Sequence, residues 1–578
     1  MTAAHPSRPA RRRFVLALGA ILCLAALLRG IFPSADPPWR STVGVVWHDE
    51  GAWVHNARNK ALVGAWRTDE WNPVYVAPVF TGLEYLSFAA FGVGVWQARL
   101  VSEVAGFCSV LLLALGVRRI AGNLAALLAG ALLATNYVYV MYNRAAIMEA
   151  LMVSFIVASW YCSTRAVRAP AWGAAAGLMA TLAFFTKAAA AFYLGALGLL
   201  AVMRLLKLWD GRGRWAPDEA PLQERSAAVW TLLGLAVSFA FVTLVFVLPN
   251  WTEYRFYNWQ MSVTRKPSYD LSALLLRLSW FPILHDTFSR MWPALCAGVL
   301  GAWGIVSEWR RASDGERLLL LWVAVGSLEL LIHDVGNERR FVFLIPALVA
   351  LTGIVLARGS LLPAAMRGVT RRHVVLALPV VLYSLYVLLG PLTRVPYLEQ
   401  VYAHVLRMPV RLAAGGAVIL TVVLIAMWPT VARTMSSVAW GARVAIAAVA
   451  IGVAWNLAQF GDWAARRSYK NFDASVALGR ALPAGTLVQG KLANGLALEN
   501  GIRPIFIGHE FGNYADRKER WDVRYILTYT DPEIGYEGDQ ILDVLAAYPG
   551  WRIIMTFDVA ETRSGHDTAA LIEKRARD

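Results

Sequence analysis

Cysteine and charge are both scarce in this sequence. Only four of the 578 residues are cysteine, and they lie far apart, at Cys23, Cys108, Cys162 and Cys296. This spacing argues against a disulfide framework and against a CxxC metal site. Charged residues make up 16% of the chain, hydrophobic residues make up 58%, and the mean hydropathy is +0.49. No tandem repeat or low-complexity tract stands out. The composition lies outside the range of ordinary soluble domains and indicates a polytopic membrane protein.

The net charge of +16 does not indicate nucleic-acid binding. Arginines recur in short clusters between apolar stretches rather than along one basic face, which is a topology signal. The predicted partner is therefore the lipid bilayer, and no binding to nucleic acid is predicted. The N-terminal run "RRRFVLALGAILCLAALL" is long and lacks a small-residue cleavage site, so it is predicted to be a retained signal-anchor helix.

Apolar stretches of about 20 residues can each cross the hydrocarbon core, and the sequence predicts about thirteen of them. They lie at roughly 14–32, 95–117, 122–141, 146–164, 171–186, 188–206, 227–248, 291–307, 318–333, 341–357, 374–390, 412–428 and 444–460. The predicted fold class is mainly α, a polytopic transmembrane helix bundle with a small C-terminal α/β domain.

Short loops rich in Arg and Lys lie on the side of the basic N-terminus, which the positive-inside rule makes cytoplasmic. A multi-pass protein of the inner or plasma membrane is predicted. Its outer face would carry a first loop at 33–94, a second loop at 249–290 and the C-terminus.

Composition changes after the last predicted span. Residues 461–578 alternate helical patterns with short strand-like runs: "GTLVQG", "RPIFIG", "VRYILTYT" and "WRIIMTF". This pattern predicts an extracytoplasmic α/β domain at 461–578 beside a transmembrane domain at 1–460. The segment "VQGKLANG" lacks the spacing of a phosphate-binding loop and is predicted to be a strand-to-helix turn.

Ionisable groups in or beside spans are costly and are therefore candidates for function. The predicted outer ends carry such a set: Asp49, Glu50, Arg144, Glu149, Lys187, His333, Asp334, Glu338, Arg339 and Arg340. Carboxylates near a low-dielectric boundary suit general base catalysis on a hydroxyl, and Arg and Lys suit a phosphate. Together they predict a reaction whose leaving group is a lipid phosphate.

Each of these candidates has a structural alternative. Asp49 and Glu50 could cap an interfacial helix, Arg144 and Glu149 could form a structural ion pair, and Lys187 could extend to the headgroups. Arg339 and Arg340 could anchor the chain at the interface, and the outer Trp and Tyr residues are typical of an aromatic belt.

A metal site is only weakly indicated. The residues His48, Glu50, His333 and Asp334 have no diagnostic ligand spacing, so no metal site and no certain cofactor is predicted, although a divalent ion is chemically possible.

The sequence resembles the GT-C integral-membrane glycosyltransferases of the protein O-mannosyltransferase and aminoarabinose transferase group. The resemblance rests on the Asp-Glu pair in "HDEGAWVHNARNKALVGAWRTDEWNPVYVAP" with the downstream "FG…ARL" context, on "NRAAIMEAL", "FFTK" and "ERRFVFLIP", and on the predicted outer C-terminal domain. It covers about residues 10–350. Members of this group transfer a sugar, with inversion, from a polyprenyl phosphate to a lipid, glycan or protein acceptor.

The resemblance implies a role for each matching residue. Asp49 would be the base, Glu50 would orient the base or the acceptor, and Glu149 would be a second acidic group. Lys187 and Arg339 or Arg340 would bind the lipid phosphate. The Lys-Pro-Pro motif of many bacterial relatives is absent, since the region reads "WNPVYVAP". Other cations would then contribute to phosphate binding: Arg255, Arg265 and Lys266. No β-trefoil domain is indicated, so a protein acceptor is not favoured over a lipid or glycan.

Two other classes compete with a transferase. A transporter or flippase of a lipid-linked substrate would also have many spans, but it usually shows internal two-fold repeats and paired broken helices, and neither is found. A scaffold or sensor would not need the clustered charges of the outer loops. The sequence therefore favours the enzyme.

Overall fold

The structure is a computed structural model, and it describes residues 8–38, 47–206, 223–263, 269–270, 298, 301–302, 305–306, 309, 312–333, 338–358, 442–506, 520–530, 540–560 and 568–575. These residues are mainly helical. The predicted spans at 374–390 and 412–428, and most of the span at 291–307, lie outside the described residues.

Most helices lie where apolar runs predict them. From the N-terminus they are α1 Arg8–Gly30, α2 His48–Trp53, α3 His55–Val63, α4 Pro78–Phe91, α5 Val95–Thr135, α6 Tyr137–Asn143, α7 Met148–Ala166, α8 Trp172–Thr186, α9 Ala191–Leu205, α10 Glu224–Val242, α11 Trp251–Val263, α12 Asp314–His333, α13 Ile345–Ala357 and α14 Ala442–Ala465. Short 3₁₀ helices cover Pro73–Tyr75, Ala188–Ala190 and Glu338–Leu344, and a π-helical turn, Thr243–Val247, follows α10.

Helix α5 contains two helical segments that meet at Gly122. Gly122 has a φ of 87°, which glycine tolerates far better than other residues, and it interrupts the helix there. A methyl group at Gly130 would lie 3.4 Å from Cβ of Ala114, so residues on opposite sides of the break are neighbours. The break corresponds to the predicted connection between the spans at 95–117 and 122–141.

The predicted number of about thirteen spans is not confirmed. Within the described ranges, six helices are long and apolar enough to cross a membrane, or seven if α6 and α7 count as one span bent by 113°. That count treats α5 as one helix and leaves out α8, which is apolar but shorter.

Close helix packing depends on small residues. A methyl group at Gly177 of α8 would lie 2.4 Å from the backbone nitrogen of Leu235, and one at Gly234 of α10 would lie 2.4 Å from the carbonyl oxygen of Ala174. The backbones of α8 and α10 therefore touch, as is common between helices in a bilayer.

The C-terminal segment forms an α/β unit. Its helices are α15 Lys470–Ala481, α16 Lys491–Gly495 and α17 Gln540–Ala546, and its strands are β1 Leu487–Gln489, β2 Arg503–Ile505, β3 Tyr525–Tyr529, β4 Arg552–Asp558 and β5 Thr568–Glu573. The sheet order is β2-β1-β3-β5-β4. Strand β1 pairs in parallel with β2 and β3, while β5 pairs antiparallel with β3 and β4. Strands β1 to β4 fall in the predicted strand-like runs, and "VQGKLANG" is the β1–α16 turn.

The C-terminal sheet contains an ion cluster centred on Glu573. The carboxylate of Glu573 accepts hydrogen bonds from Arg552 at 2.7 Å and Arg575 at 2.9 Å, and it pairs with Arg524. Desolvation opposes ionisation of Glu573, but the hydrogen bonds from the three arginines outweigh it and hold the pKa below its usual value.

A lowered pKa stabilises the sheet at pH values above the ordinary range of a carboxylic acid, and this stabilisation is lost as the pH falls through the pKa of the folded state. We expect amide exchange of β4 and β5 to accelerate below pH 4.5, after correction for intrinsic exchange rates. Glu573→Gln should show the faster exchange already at neutral pH. Equal pH profiles of the two proteins would contradict this role of Glu573.

Candidate active site

Helix α2 directs three consecutive residues toward three different parts of the molecule. Asp49 reaches Arg339 in the 3₁₀ helix Glu338–Leu344, Glu50 reaches Arg99 in α5, and Gly51 contacts Asn494 in α16. Successive residues of a helix are about 100° apart, which explains the divergence. Trp47, the residue before α2, makes no side-chain capping bond to the helix. The short helix is therefore held by tertiary contacts.

Glu50 forms a buried ion pair. Both of its carboxylate oxygens accept a hydrogen bond from the guanidinium of Arg99, each at 2.8 Å, and Oε1 also accepts the backbone N–H of Ala146 at 2.8 Å. Arg99 additionally donates to the carbonyl oxygens of Pro33 and Ala35. Glu50 thus joins α2 to α5 and to the turn before α7 through three hydrogen bonds that its carboxylate accepts.

Asp49 lies at one end of a chain of four charged groups. Its Oδ2 accepts a hydrogen bond from Arg339 Nη1 at 2.8 Å. Nε of Arg339 lies 3.4 Å from Oε1 of Glu149, and the same oxygen accepts a hydrogen bond from Lys187. We call Asp49, Glu149, Lys187 and Arg339 the charge cluster. Its formal charge is zero, from two carboxylates and two cations.

Local structure explains how these side chains meet. Glu149 lies in the first turn of α7, where the helix dipole favours a carboxylate. Lys187 directly follows α8, in extended backbone with φ −158° and ψ 124°. Arg339 lies in the 3₁₀ helix that precedes α13. Three helix ends therefore bring their ionisable side chains to Asp49.

The charge cluster is shielded from water without being closed. The side chain of Glu149 is 1% exposed, that of Asp49 is 13% exposed, and those of Lys187 and Arg339 are each 19% exposed. Oε2 of Glu149 is buried and has no hydrogen-bond partner among the residues that the structure describes. Partial burial strengthens electrostatic contacts with a charged ligand, while the exposed parts of Asp49, Lys187 and Arg339 remain accessible to that ligand.

The other predicted site residues lie in varied surroundings. His48 is buried, with Nε2 4.0 Å from Asp49 Oδ1. Arg340 donates to the carbonyl oxygen of His333, and His333 itself is exposed. Arg255 lies exposed on α11. Arg265, Lys266 and Asp334 lie outside the described residues, and so does the side chain of Glu338.

Arg144 does not pair with Glu149 in the way that the ion-pair alternative supposes. Its guanidinium donates to the carbonyl oxygens of Leu28, Arg29 and Phe32, at and just after the end of α1. Arginine near a helix C-terminus satisfies carbonyl groups that have no partner within the helix. Arg144 therefore joins α1 to the turn between α6 and α7, and Glu149 binds Lys187 and Arg339 instead.

Reasoning from the sequence missed residues that hold α2 and the segment after it in place. Arg99, which binds Glu50, is not among the predicted residues, and neither are Arg58 and Asp69, which bind the C-terminal unit. Arg99 carried a usable signal, because an arginine inside a predicted span requires a partner. In the part of the chain that the structure describes, no group of three His, Cys, Asp or Glu side chains is placed to hold a metal.

We expect Glu50→Gln to lower stability more than Asp49→Asn does. The substitution removes the charge that compensates buried Arg99, and breaking a buried ion pair in this way costs about 3–5 kcal/mol. Asp49 is more exposed than Glu50, and in Asp49→Asn the guanidinium of Arg339 would still be paired with the carboxylate of Glu149. Thermal unfolding of the purified proteins in one detergent provides the comparison. A midpoint for Glu50→Gln at or above that of Asp49→Asn would contradict the structural role of Glu50.

The comparisons with known proteins agree with the sequence resemblance. Residues 75–211 match the family model described as dolichyl-phosphate-mannose-protein mannosyltransferase. No protein of curated function matches the sequence.

Among solved structures, the chain is similar to ArnT from Cupriavidus metallidurans. In its complex with undecaprenyl phosphate, ArnT is 16% identical, with a TM-score of 0.55 and coverage of 97% of this chain and 98% of that chain. The apo state gives 15% identity, the same coverages and a TM-score of 0.57. The oligosaccharyltransferase of Archaeoglobus fulgidus, in its apo form, is 13% identical with a TM-score of only 0.45, covering 91% of this chain and 70% of that chain.

The similarity to ArnT establishes the fold. The chain has the GT-C fold of membrane glycosyltransferases, as the resemblance predicts. Within that class, it resembles ArnT over nearly the whole length of both chains.

Proposed function

We propose that this protein is an inverting glycosyltransferase that moves a sugar from a polyprenyl phosphate to an acceptor hydroxyl at the outer face of the membrane. The observation that carries the proposal is the charge cluster, which places a carboxylate next to two cations in a partly buried site. The ArnT structure in complex with undecaprenyl phosphate and the family match to a dolichyl-phosphate-mannose transferase support a polyprenyl-phosphate donor.

The reaction needs one base and no covalent intermediate. The acceptor oxygen attacks the anomeric carbon, forming the new C–O bond, while the bond between that carbon and the phosphate oxygen breaks on the opposite side. Asp49 takes the hydroxyl proton, and the lipid phosphate leaves with the bonding electrons. Lys187 and Arg339 stabilise the negative charge of the leaving phosphate.

The contacts of Arg339 suggest that donor binding precedes the action of Asp49 as a base. Its guanidinium bridges Asp49 and Glu149. An incoming phosphate competes with Asp49 for Arg339, so donor binding releases Asp49 to act as a base. Glu149 keeps both cations in place, and its Oε2 is available to a sugar hydroxyl. Glu50, committed to Arg99, positions α2.

A gene deletion tests this proposal and identifies the sugar and the acceptor. Mass spectrometry of polyprenyl-phosphate lipids and of surface glycans should show accumulation of one sugar-carrying lipid and loss of one glycan substituent in the deletion strain. The wild-type gene should restore both. Unchanged lipids together with unchanged glycans would contradict the proposal.

A further inference from the structure

The helix that carries Asp49 lies directly against the C-terminal unit. A methyl group added at Gly51 would lie 1.9 Å from the carbonyl oxygen of Asn494 and 2.6 Å from its carbonyl carbon. Conversely, a methyl group at Gly495 would lie 2.8 Å from Cα of His48 and 2.7 Å from Cζ3 of Trp47. The backbones of α2 and α16 therefore touch without a side chain between them. Backbone atoms cannot turn aside as a flexible side chain can, so any larger residue must move one helix.

Arg58, on α3, fixes the same two parts of the molecule. Its buried guanidinium donates to the carbonyl oxygens of Ala497 at 3.0 Å, Asn500 at 2.8 Å and Ile502 at 2.9 Å. Burial lowers the pKa of Arg58 to about 10, which leaves the side chain charged at neutral pH. Hydrogen bonds from a charged donor are among the stronger ones. Three of them converge on the segment between α16 and β2.

A third connection runs through His55 and Asp69. One oxygen of Asp69 lies 2.8 Å from His55 Nε2, and the other accepts the backbone N–H of Phe506 at 2.8 Å. Nδ1 of His55 lies 3.3 Å from the side-chain nitrogen of Asn494. The contacts of α2 and α3 with the C-terminal unit thus extend from α16 to the end of β2.

These contacts bear on the position of Asp49. Helix α2 has only six residues, too few to be stable without packing. Glu50 fixes it to the membrane helices and Gly51 fixes it to α16, with Asp49 directed toward Arg339. We infer that the C-terminal unit completes the catalytic centre, and that Gly51, Gly495 and Arg58 are positioning residues for Asp49. This inference rests on the proposed function.

The test compares two glycine-to-alanine variants in full-length protein reconstituted in liposomes. The donor is the sugar-carrying lipid that accumulates in a deletion strain, and the acceptor is extracted from the same strain. We expect Gly51→Ala to lower turnover about 100-fold, because a shift of about 1 Å in a reacting group has an effect of this size. Gly82→Ala is the matched control, since Gly82 lies in helix α4 and a methyl group there meets nothing within 4 Å.

Two further measurements separate positioning from general damage. Binding of undecaprenyl phosphate by Gly51→Ala should stay within about twofold of wild type, because the phosphate-binding cations do not lie on α2. The double variant Asp49→Asn/Gly51→Ala should be no slower than Asp49→Asn alone, because both changes act through one carboxylate. Equal turnover of Gly51→Ala and Gly82→Ala, or losses that multiply in the double variant, would overturn the inference.

If Gly51→Ala does not fold, the variant Arg58→Lys tests the same inference. A lysine retains the charge but lacks the planar fork of N–H donors with which Arg58 reaches three carbonyl groups, so turnover should fall with carrier binding preserved. Turnover of Arg58→Lys equal to that of wild type would overturn the inference. A wild-type protein that transfers no sugar from this donor would instead overturn the proposed function.

Discussion

Asp49→Asn is expected to lower turnover by about two to four decades, the range typical of removing a general base. The asparagine is nearly isosteric and can still accept a hydrogen bond from Arg339, so the protein should fold and insert. Binding of undecaprenyl phosphate should be at least as tight as in wild type, because Arg339 loses a competing carboxylate. Turnover in liposomes, with thermal unfolding as the check on integrity, measures the effect.

Glu50→Gln is the matched control for this variant. It removes the adjacent carboxylate on the same helix, but Glu50 faces Arg99 rather than the charge cluster. Its turnover, measured below its unfolding temperature, should therefore fall less than that of Asp49→Asn. Wild-type turnover in Asp49→Asn would rule out Asp49 as the base. The same experiment separates a transferase from a flippase, since moving a lipid across the bilayer requires no proton acceptor at this position.

Arg339→Ala is expected to weaken binding of the phosphate carrier by about one to two decades, since each hydrogen bond to a charged group is worth roughly 1.5–3 kcal/mol. Lys187→Ala should act in the same direction. Each change removes one of the two cations that balance the two carboxylates of the charge cluster, so the net negative charge that remains also repels the phosphate. Titration of the reconstituted protein with undecaprenyl phosphate gives the affinities.

The control for these arginine and lysine variants is Arg466→Ala. The Arg466 side chain is 75% exposed, and its carboxylate partner, Asp462, lies one turn away on α14. Its removal should leave carrier affinity unchanged, because exposed ion pairs contribute little. Wild-type affinity in both Arg339→Ala and Lys187→Ala would exclude the charge cluster as the phosphate site.

Much of the helical architecture could be predicted from the sequence. A helix that crosses the bilayer requires a long apolar run, and such a run is a local property that can be read directly from the residues. The break at Gly122 and the strand-to-helix turn at Gly490 have local causes and were also predictable. Strand β5 was missed, since "TAALIE" has no turn residues or alternation that distinguish a strand from a helix.

The pairing of the charges could not be predicted in the same way. Asp49 and Glu50 are adjacent and chemically alike, yet their partners lie 290 and 49 residues away. Arg144 and Glu149 are close in sequence, but the 113° bend between α6 and α7 separates their surroundings. Partners of this kind depend on how distant helices pack, and hydropathy carries no information about that packing.

The backbone contact between α2 and α16 limits how this protein can exchange parts with its relatives. Composition suggests a natural cut near residue 461, where the membrane helices end. Yet the surface that receives the C-terminal unit includes Gly51, Arg58 and Asp69, all more than 400 residues upstream of their partners. A functional chimera would therefore have to take the segment 47–71 from the same parent as the C-terminal unit, so the modular unit of this protein is discontinuous along the chain.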